Sequence, residues 1–88
     1  MEMRIKNNIA ISDSGYIFNP GTGESFVVNP IGKEILELMK ENKGFKEISL
    51  HILERFNTIE TTFEKDYFDF MNTLRKNQLA EENEQEEN

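Results

Sequence analysis

The chain has 88 residues, no cysteine and a single histidine. This length fits one small domain with a modest core, and the composition excludes disulfides, thiolate nucleophiles and cysteine zinc sites. Ten basic residues face seventeen acidic ones, which gives a net charge of −7 and disfavours binding to a phosphate backbone. The sequence shows neither a signal-peptide pattern nor a membrane-spanning apolar run, so we expect a cytoplasmic protein.

The first third of the chain predicts three short strands. Residues 1–7 are polar, and we expect a flexible N-terminus there. Apolar runs follow at residues 9–11, 16–18 and 25–28. Turn residues separate them, including Gly15 in the first turn and Pro20, Gly21 and Gly23 in the second. Short runs joined by tight turns predict an antiparallel meander.

After residue 28 the apolar spacing becomes that of helices. Asn29 fits an N-cap, Pro30 fits the first helical position, and Gly44 fits the end of the helix. The inward stripe of this first helix is predicted to hold Ile31, Ile35, Leu38 and Met39. A second helix over about residues 46–56 is predicted to turn Ile48, Ile52, Leu53 and Phe56 inward. A third helix is predicted from Thr61 or Thr62 to about Asn77.

Three strands followed by three helices predict an α+β fold of the winged helix-turn-helix type. We assign this domain to residues 8–80. Residues 81–88 hold five glutamates and are predicted to form a disordered acidic tail. Without them ten basic residues face twelve acidic ones. The domain itself therefore carries a charge near −2.

Two candidate catalytic or ligand sites are better explained structurally. The glycines from Gly21 to Gly32 lack both phosphate-loop patterns, and Gly21 and Gly23 precede a strand rather than a helix. A hairpin turn accounts for them. His51 has no second histidine or cysteine with which to share a metal. We therefore predict no catalytic residue, no metal site and no cofactor.

The third helix carries an apolar strip that does not fit its core face. At about 100° per residue, one stripe holds Phe63, Tyr67, Phe70 and Leu74. Phe68 lies roughly 130° from the centre of that stripe, and Met71 leans to the same side. Glu64 and Arg75 flank the pair. A phenylalanine beside a methionine with charges at both ends is typical of a binding groove, although isolated exposed apolar residues are also common.

The step from the third strand into the first helix, Val28-Asn29-Pro30-Ile31-Gly32, resembles the Leu-Asn-Pro-x-Gly step of the PqqD family. The later stretches "FKEISLHILERF" and "DYFDFMNTLRKNQLAEE" resemble that family's second and third helices. The resemblance covers about residues 8–80. It implies a non-enzymatic peptide chaperone, or precursor recognition element, which binds the leader of a ribosomally made precursor peptide and presents it to a modifying enzyme, often a radical SAM protein. Pyrroloquinoline quinone synthesis is one setting of the family.

The resemblance also implies how the leader binds, as an antiparallel strand beside the third predicted strand and against the third helix. The residues agree with this mode, because an edge strand offers free backbone groups and the run from Ser25 to Val28 contains neither proline nor charge. The peptide-binding residues are accordingly predicted to be Ser25, Phe26, Val27, Val28, Glu64, Tyr67, Phe68, Met71 and Arg75. The same open edge allows a homodimer.

Two alternatives stay open at this level. A winged-helix DNA-binding or transcription-associated domain would need a basic recognition helix, but Lys46 and Arg55 are offset there by Glu47 and Glu54. A protein–protein adaptor or dimerisation module would instead bury the third strand in a symmetric dimer. Fold alone does not separate these functions.

Overall fold

The computed structural model describes residues 3–82. Its elements are β1 (Met3–Ile5), β2 (Ala10–Ile11), β3 (Tyr16–Asn19), β4 (Glu24–Val27), α1 (Pro30–Lys40), α2 (Phe45–Arg55), α3 (Glu60–Lys76) and β5 (Ala80–Glu82). The strands form two antiparallel sheets, one of three strands in the order β2-β3-β4 and one of two strands pairing β1 with β5. The predicted α+β class, with a three-stranded meander followed by three helices, is confirmed.

The three-stranded sheet has a core face and a solvent face, because side chains alternate along a strand. Ile17 and Asn19 of β3 are buried, and Phe26 of β4 packs partly against the core. Tyr16 and Phe18 lie on the opposite face and are exposed. The β3–β4 turn needs Gly23, whose φ of 80° is a conformation that few other residues adopt.

The start of α1 is built as the sequence predicts, but its end is not. The side chain of Asn29 accepts a hydrogen bond from the Gly32 amide at 2.8 Å, and Pro30 occupies the first turn. The helix ends at the C-cap Glu41, where Asn42 with φ 65° reverses the chain, so Gly44 caps the start of α2 instead. Asparagine substitutes for glycine here because it tolerates the left-handed region.

The core lies among the three helices and the inner face of the sheet. It contains Ile35, Leu36, Met39, Ile48, Ile52, Phe63, Tyr67, Met71 and Leu74, with Ile5, Ile9, Ile17, Leu79 and Ala80 from the rest of the fold. The predicted inward residues Leu38 and Phe70 pack against this core but are only partly buried. Leu36, rather than Leu38, is fully buried on α1, and Met71 is buried on α3 where Phe70 is only partly covered.

The sheet of β1 and β5 departs from the sequence prediction. The pattern predicts flexibility at residues 1–7 and disorder at 81–88, yet Met3–Ile5 pairs with Ala80–Glu82. The pairing buries Ile5 and Ala80 and brings Arg4 within 2.8 Å of Glu81. Two polar segments at opposite ends of a chain give no local signal of such pairing. Residues 1, 2 and 83–88 lie outside the described residues, so the rest of both predicted segments stays a prediction.

Candidate functional site

Strand β4 is an edge strand with free backbone groups. It pairs with β3 on one side only, and no described strand lies on its other side. The Val28 amide donates to the Gly15 carbonyl at 2.9 Å, so the backbone at position 28 points toward β3. Because this direction alternates along a strand, Phe26 also points toward β3. Ser25 and Val27 therefore turn their N–H and C=O groups to the open edge.

This edge has few of the features that prevent edge-to-edge pairing. Natural edge strands are usually protected by proline, charge or a covering element. Ser25, Phe26 and Val27 are uncharged, and the Val27 side chain is 73% exposed. Only Glu24, at the start of the strand, carries a charge. The edge is therefore suited to accept another strand.

Two contacts orient α3 relative to the β3–β4 hairpin. The Asn19 side-chain amide, at the start of the β3–β4 turn, donates to the Gln78 carbonyl just after α3, at 3.3 Å. At the other end of β4, a Cβ added to Gly32 would lie 3.4 Å from the ring of Phe70 and 3.1 Å from Cβ of Val28. The end of β4 thus faces the middle of α3, and the start of β4 faces its C-terminus.

A cavity of about 300 Å³ lies between the end of β4, the start of α1 and α3. We call it the β4 cavity. It is lined by Val28, Asn29, Ile31, Gly32, Ile35, Thr58, Phe63, Asp66, Tyr67 and Phe70. Most of this lining is apolar, and its polar groups are one amide, two hydroxyls and one carboxylate. Such a mixture of apolar surface and a few polar groups is typical of sites that bind a ligand.

Asp66 gives the β4 cavity its charge. It is exposed, and within residues 3–82 its carboxylate takes part in no hydrogen bond or ion pair. Lys33, one residue after Gly32, is engaged by Glu37 at 3.0 Å, and this hydrogen bond raises the pKa of Lys33. The unpaired charge at the cavity is therefore negative, which favours a cationic or hydroxyl-bearing ligand group.

A second cavity of about 310 Å³ lies on the other flank of α3. We call it the Phe68 cavity. Its lining consists of Met3, Phe45, Tyr67, Phe68, Met71, Asn72, Arg75 and Glu82. Phe68 is 56% exposed and stacks on Phe45 with ring centroids 5.5 Å apart. Arg75 lies 3.2 Å from Asn72 and 3.9 Å from Glu82.

The structure therefore divides the predicted peptide-binding residues between two surfaces. Ser25, Phe26 and Val27 lie in β4 and Val28 directly follows it, whereas Phe68, Met71 and Arg75 line the Phe68 cavity. Tyr67 lines both cavities, and the exposed Glu64 lines neither. Neither cavity is lined by both residues 25–28 and Phe68, so a leader that contacts all the predicted residues would have to extend over both surfaces. Their joint role in peptide binding stays a prediction.

Sequence reasoning missed Phe70 and Asp66 as candidate site residues. The helical count placed Phe70 on the core stripe, but the start of α1 leaves it half-covered at the β4 cavity. The signal was in the sequence, because at 100° per residue Phe70 lies about 200° from Phe68. Which flank of α3 faces β4 depends on tertiary packing.

The remaining candidate sites are structural. His51 Nε2 lies 2.7 Å from Glu34 Oε2 and joins α2 to α1, while Arg55 lies 3.6 Å from the same oxygen. Within residues 3–82, no cluster of His, Cys, Asp and Glu could hold a metal ion. The same residues include no helix long and apolar enough to cross a bilayer.

Comparison with known proteins identifies the family of this chain. The family model described as "Coenzyme PQQ synthesis protein D (PqqD)" matches residues 15–80. The match covers most of the chain, and the chain therefore belongs to the PqqD family. The predicted resemblance is confirmed. No curated protein matches the sequence significantly.

Two solved structures have the same fold. "TbiB1 in Complex with the TbiA(beta) Leader Peptide" aligns with a TM-score of 0.81 and 26% identity, covering 91% of this chain and 96% of the other. "Lasso peptide synthetase B1 complexed with the leader peptide" aligns with a TM-score of 0.79 over 93% of this chain and all of the other. At 18% identity, the second shows the shared fold alone.

Proposed function

We propose that this chain is a non-enzymatic peptide chaperone that binds the leader of a ribosomally made precursor peptide and presents it to a modifying enzyme. The observation that carries the proposal is the open edge of β4 beside the β4 cavity. Membership of the PqqD family supports it, as does the similarity to a protein whose structure holds a leader peptide. Strand addition obtains affinity from the backbone and selectivity from pockets for alternate side chains.

The free groups on β4 determine the register of an added antiparallel strand. We number the leader residue opposite Val27 as p, so that p−1 lies opposite Val28 and p+2 opposite Ser25. Residues p and p+2 exchange hydrogen bonds with Val27 and Ser25, because those two residues face the edge. Opposite residues share a face of the sheet, so the p−1 side chain points to the inner face that carries Val28.

Position p−1 is therefore proposed to insert into the β4 cavity. The cavity's apolar lining suits an aliphatic or aromatic side chain, and Phe70 covers it from α3. Asp66 at the same cavity suits a basic or hydroxyl group on that side chain or just before it in the leader. Phe26 and Val28 supply the floor beside the added strand.

The other predicted site residues lie away from the edge of β4. Glu64, Phe68, Met71 and Arg75 stay predicted peptide-binding residues, but they are assigned to leader segments outside the added strand. The Phe68 cavity is the surface available for such a segment. We further propose a cytoplasmic location and, as the partner that receives the leader, a modifying enzyme such as a radical SAM protein.

An amide NMR titration tests the proposal. The labelled full chain is titrated with a synthetic leader of a short precursor encoded beside it in the genome. We expect shifts concentrated at residues 24–32 and 63–70. A leader that shifts α2 instead would contradict strand addition. Self-association through β4 without leader binding would favour the adaptor or homodimer alternative, and salt-sensitive DNA binding by α2 would favour a DNA-binding domain.

A further inference from the structure

The outer face of the three-stranded sheet carries an apolar patch that the β4 cavity does not use. Tyr16 is 50% exposed, Phe18 40% and Val27 73%. We call these residues the outer patch. No described helix covers it, since α1 and α3 pack with the buried residues of the opposite face. The patch reaches the edge of the sheet at Val27, so a strand added there extends it directly.

The sheet register arranges the outer patch in two rows across the strands. Tyr16 lies opposite Val27, and Phe18 lies opposite Ser25. Both are pairs that do not exchange hydrogen bonds between β3 and β4, because Tyr16 and Phe18 direct their backbone toward β2. Such pairs bring side chains closest together. An added leader strand continues each row by one residue, with p beside Val27 and p+2 beside Ser25.

The two rows differ in the space that they offer a leader side chain. Neighbouring strands lie about 4.8 Å apart, so p+2 lies about 9.6 Å from Phe18 with only Ser25 between them. The small serine leaves room for a large side chain at p+2 to lie across it and meet the Phe18 ring. In the other row Val27 fills the space, so a side chain at p packs on Val27 and meets Tyr16 only at its tip.

We infer that the outer patch is a second specificity surface, which selects leaders with large apolar side chains at p and p+2, the two residues that hydrogen-bond to the β4 edge. This inference rests on the proposed function, because it requires strand addition at β4. The leader is then recognised on both faces of the extended sheet. The β4 cavity takes p−1, while Tyr16 and Phe18 favour apolar residues at alternate positions on the solvent side.

Without the outer patch, apolar side chains at p and p+2 would face water on this side of the sheet. Contact with the patch therefore favours leaders that carry such side chains over leaders that do not. Cross-strand pairs of aromatic or β-branched residues stabilise a sheet modestly, by up to about fivefold in an equilibrium constant. We therefore expect each row to alter leader affinity by about two- to fivefold. The effect adds to the backbone contribution and does not replace it.

Selection from a library of random 15-residue peptides by mRNA display tests the inference even when the natural precursor is unidentified. The full chain, Tyr16→Thr, Phe18→Thr and Val27→Pro, which removes the Val27 amide, are used as baits in parallel. Threonine keeps the β-branched preference for a strand while removing the ring. Leu50→Thr, which changes another exposed apolar residue, on α2, is the control. Thermal unfolding verifies that each bait is folded.

We expect peptides whose binding is lost with Val27→Pro to show large apolar residues at two positions separated by one residue. Phe18→Thr should abolish the preference at p+2. Because the strands are antiparallel, Tyr16→Thr should weaken the preference at p, which lies two residues earlier in the peptide. Leu50→Thr should leave both preferences unchanged. Peptides that depend on the Val27 amide but show identical preferences with all baits would overturn the inference and leave strand addition intact. If no selected peptide depends on the Val27 amide, strand addition fails and the inference fails with it.

Discussion

Phe68 and Phe70 lie two residues apart on α3 and contact opposite flanks of the domain. Phe68 stacks on Phe45 with ring centroids 5.5 Å apart, whereas Phe70 lies against the start of α1 at Gly32. Two residues advance a helix by about 200°, so a single helix separates the Phe68 cavity from the β4 cavity. Only the β4 cavity is lined by Val28, the residue that directly follows β4.

We expect Phe70→Ala to weaken leader binding by about tenfold, because removing an aromatic anchor from an interface typically costs about 1–2 kcal/mol or more. Phe68→Ala, the matched control on the opposite flank, should reduce affinity by less than about threefold. Isothermal titration calorimetry with the leader measures both. Phe70 is partly buried, so chemical denaturation must show that the variant remains folded at the titration temperature. A larger loss with Phe68→Ala would move the leader site to the Phe68 cavity.

The backbone of Val27 provides a test of strand addition itself. Its amide faces the open edge and donates no hydrogen bond to β3, so Val27→Pro removes a donor for the leader without removing one from the sheet. We expect leader affinity to fall by at least tenfold while the far-ultraviolet circular dichroism is retained. Edge positions are where a sheet tolerates proline.

Val27→Thr is the matched control for this proline variant. It shortens the apolar side chain but keeps the amide and the β-branched shape, so we expect affinity within about fivefold of the original chain. Equal losses for Val27→Pro and Val27→Thr would show that the side chain, rather than the backbone, carries the binding. Retention of full affinity by Val27→Pro would exclude strand addition at this edge.

The sequence predicted those parts of the fold whose signals are local. The N-cap Asn29 with Pro30, the turn glycine Gly23 and the helical apolar periods all lie where the pattern predicts. The pairing of β1 with β5 escaped prediction because it joins residues almost eighty positions apart, and no local propensity specifies such a partner. The edge of β4 was predicted from strand order alone.

The candidate site was predicted in part, for a related reason. Helical periodicity correctly separated Phe68 from the core stripe, but it did not predict that Met71 is more deeply buried than Phe70. A period gives the angles between side chains and not the direction in which the helix is rotated against its neighbours. That rotation is set here by contacts such as Phe45 with Tyr67, whose ring centroids are 4.8 Å apart. Such a contact between two helices cannot be read from either alone.

Gly15 holds the end of β4 in place, and its replacement should be more costly than that of Gly23. Both have positive φ, 89° and 80°, but a Cβ on Gly15 would lie 2.7 Å from the Val28 carbonyl oxygen, whereas one on Gly23 meets nothing within 4 Å. We expect Gly23→Ala to lower the free energy of unfolding by about 1 kcal/mol, the usual cost of the left-handed region.

For Gly15→Ala the expected loss is at least about 2 kcal/mol, because steric overlap adds to the same backbone cost. Urea unfolding followed by circular dichroism measures both values. The leader affinity of Gly15→Ala should also fall, since Gly15 accepts the hydrogen bond from the Val28 amide that aligns the edge. Equal destabilisation of the two variants would show that the contact with Val28 relaxes without cost.

Asn29 connects the stability of α1 to the shape of the β4 cavity, since it caps the helix and lines the cavity. Asn29→Ala removes the acceptor that holds the Gly32 amide at 2.8 Å, and loss of an N-cap typically costs about 1 kcal/mol. Asn29→Asp keeps an acceptor of the same length and adds a negative charge at the helix N-terminus, which is favourable. We therefore expect urea unfolding to show a loss of about 1 kcal/mol for alanine and near-original stability for aspartate. If both variants lose equal stability, the side-chain amide of Asn29 has a role beyond capping. If neither does, the cap does not contribute, and the Val28–Gly32 step is held by packing against Phe70.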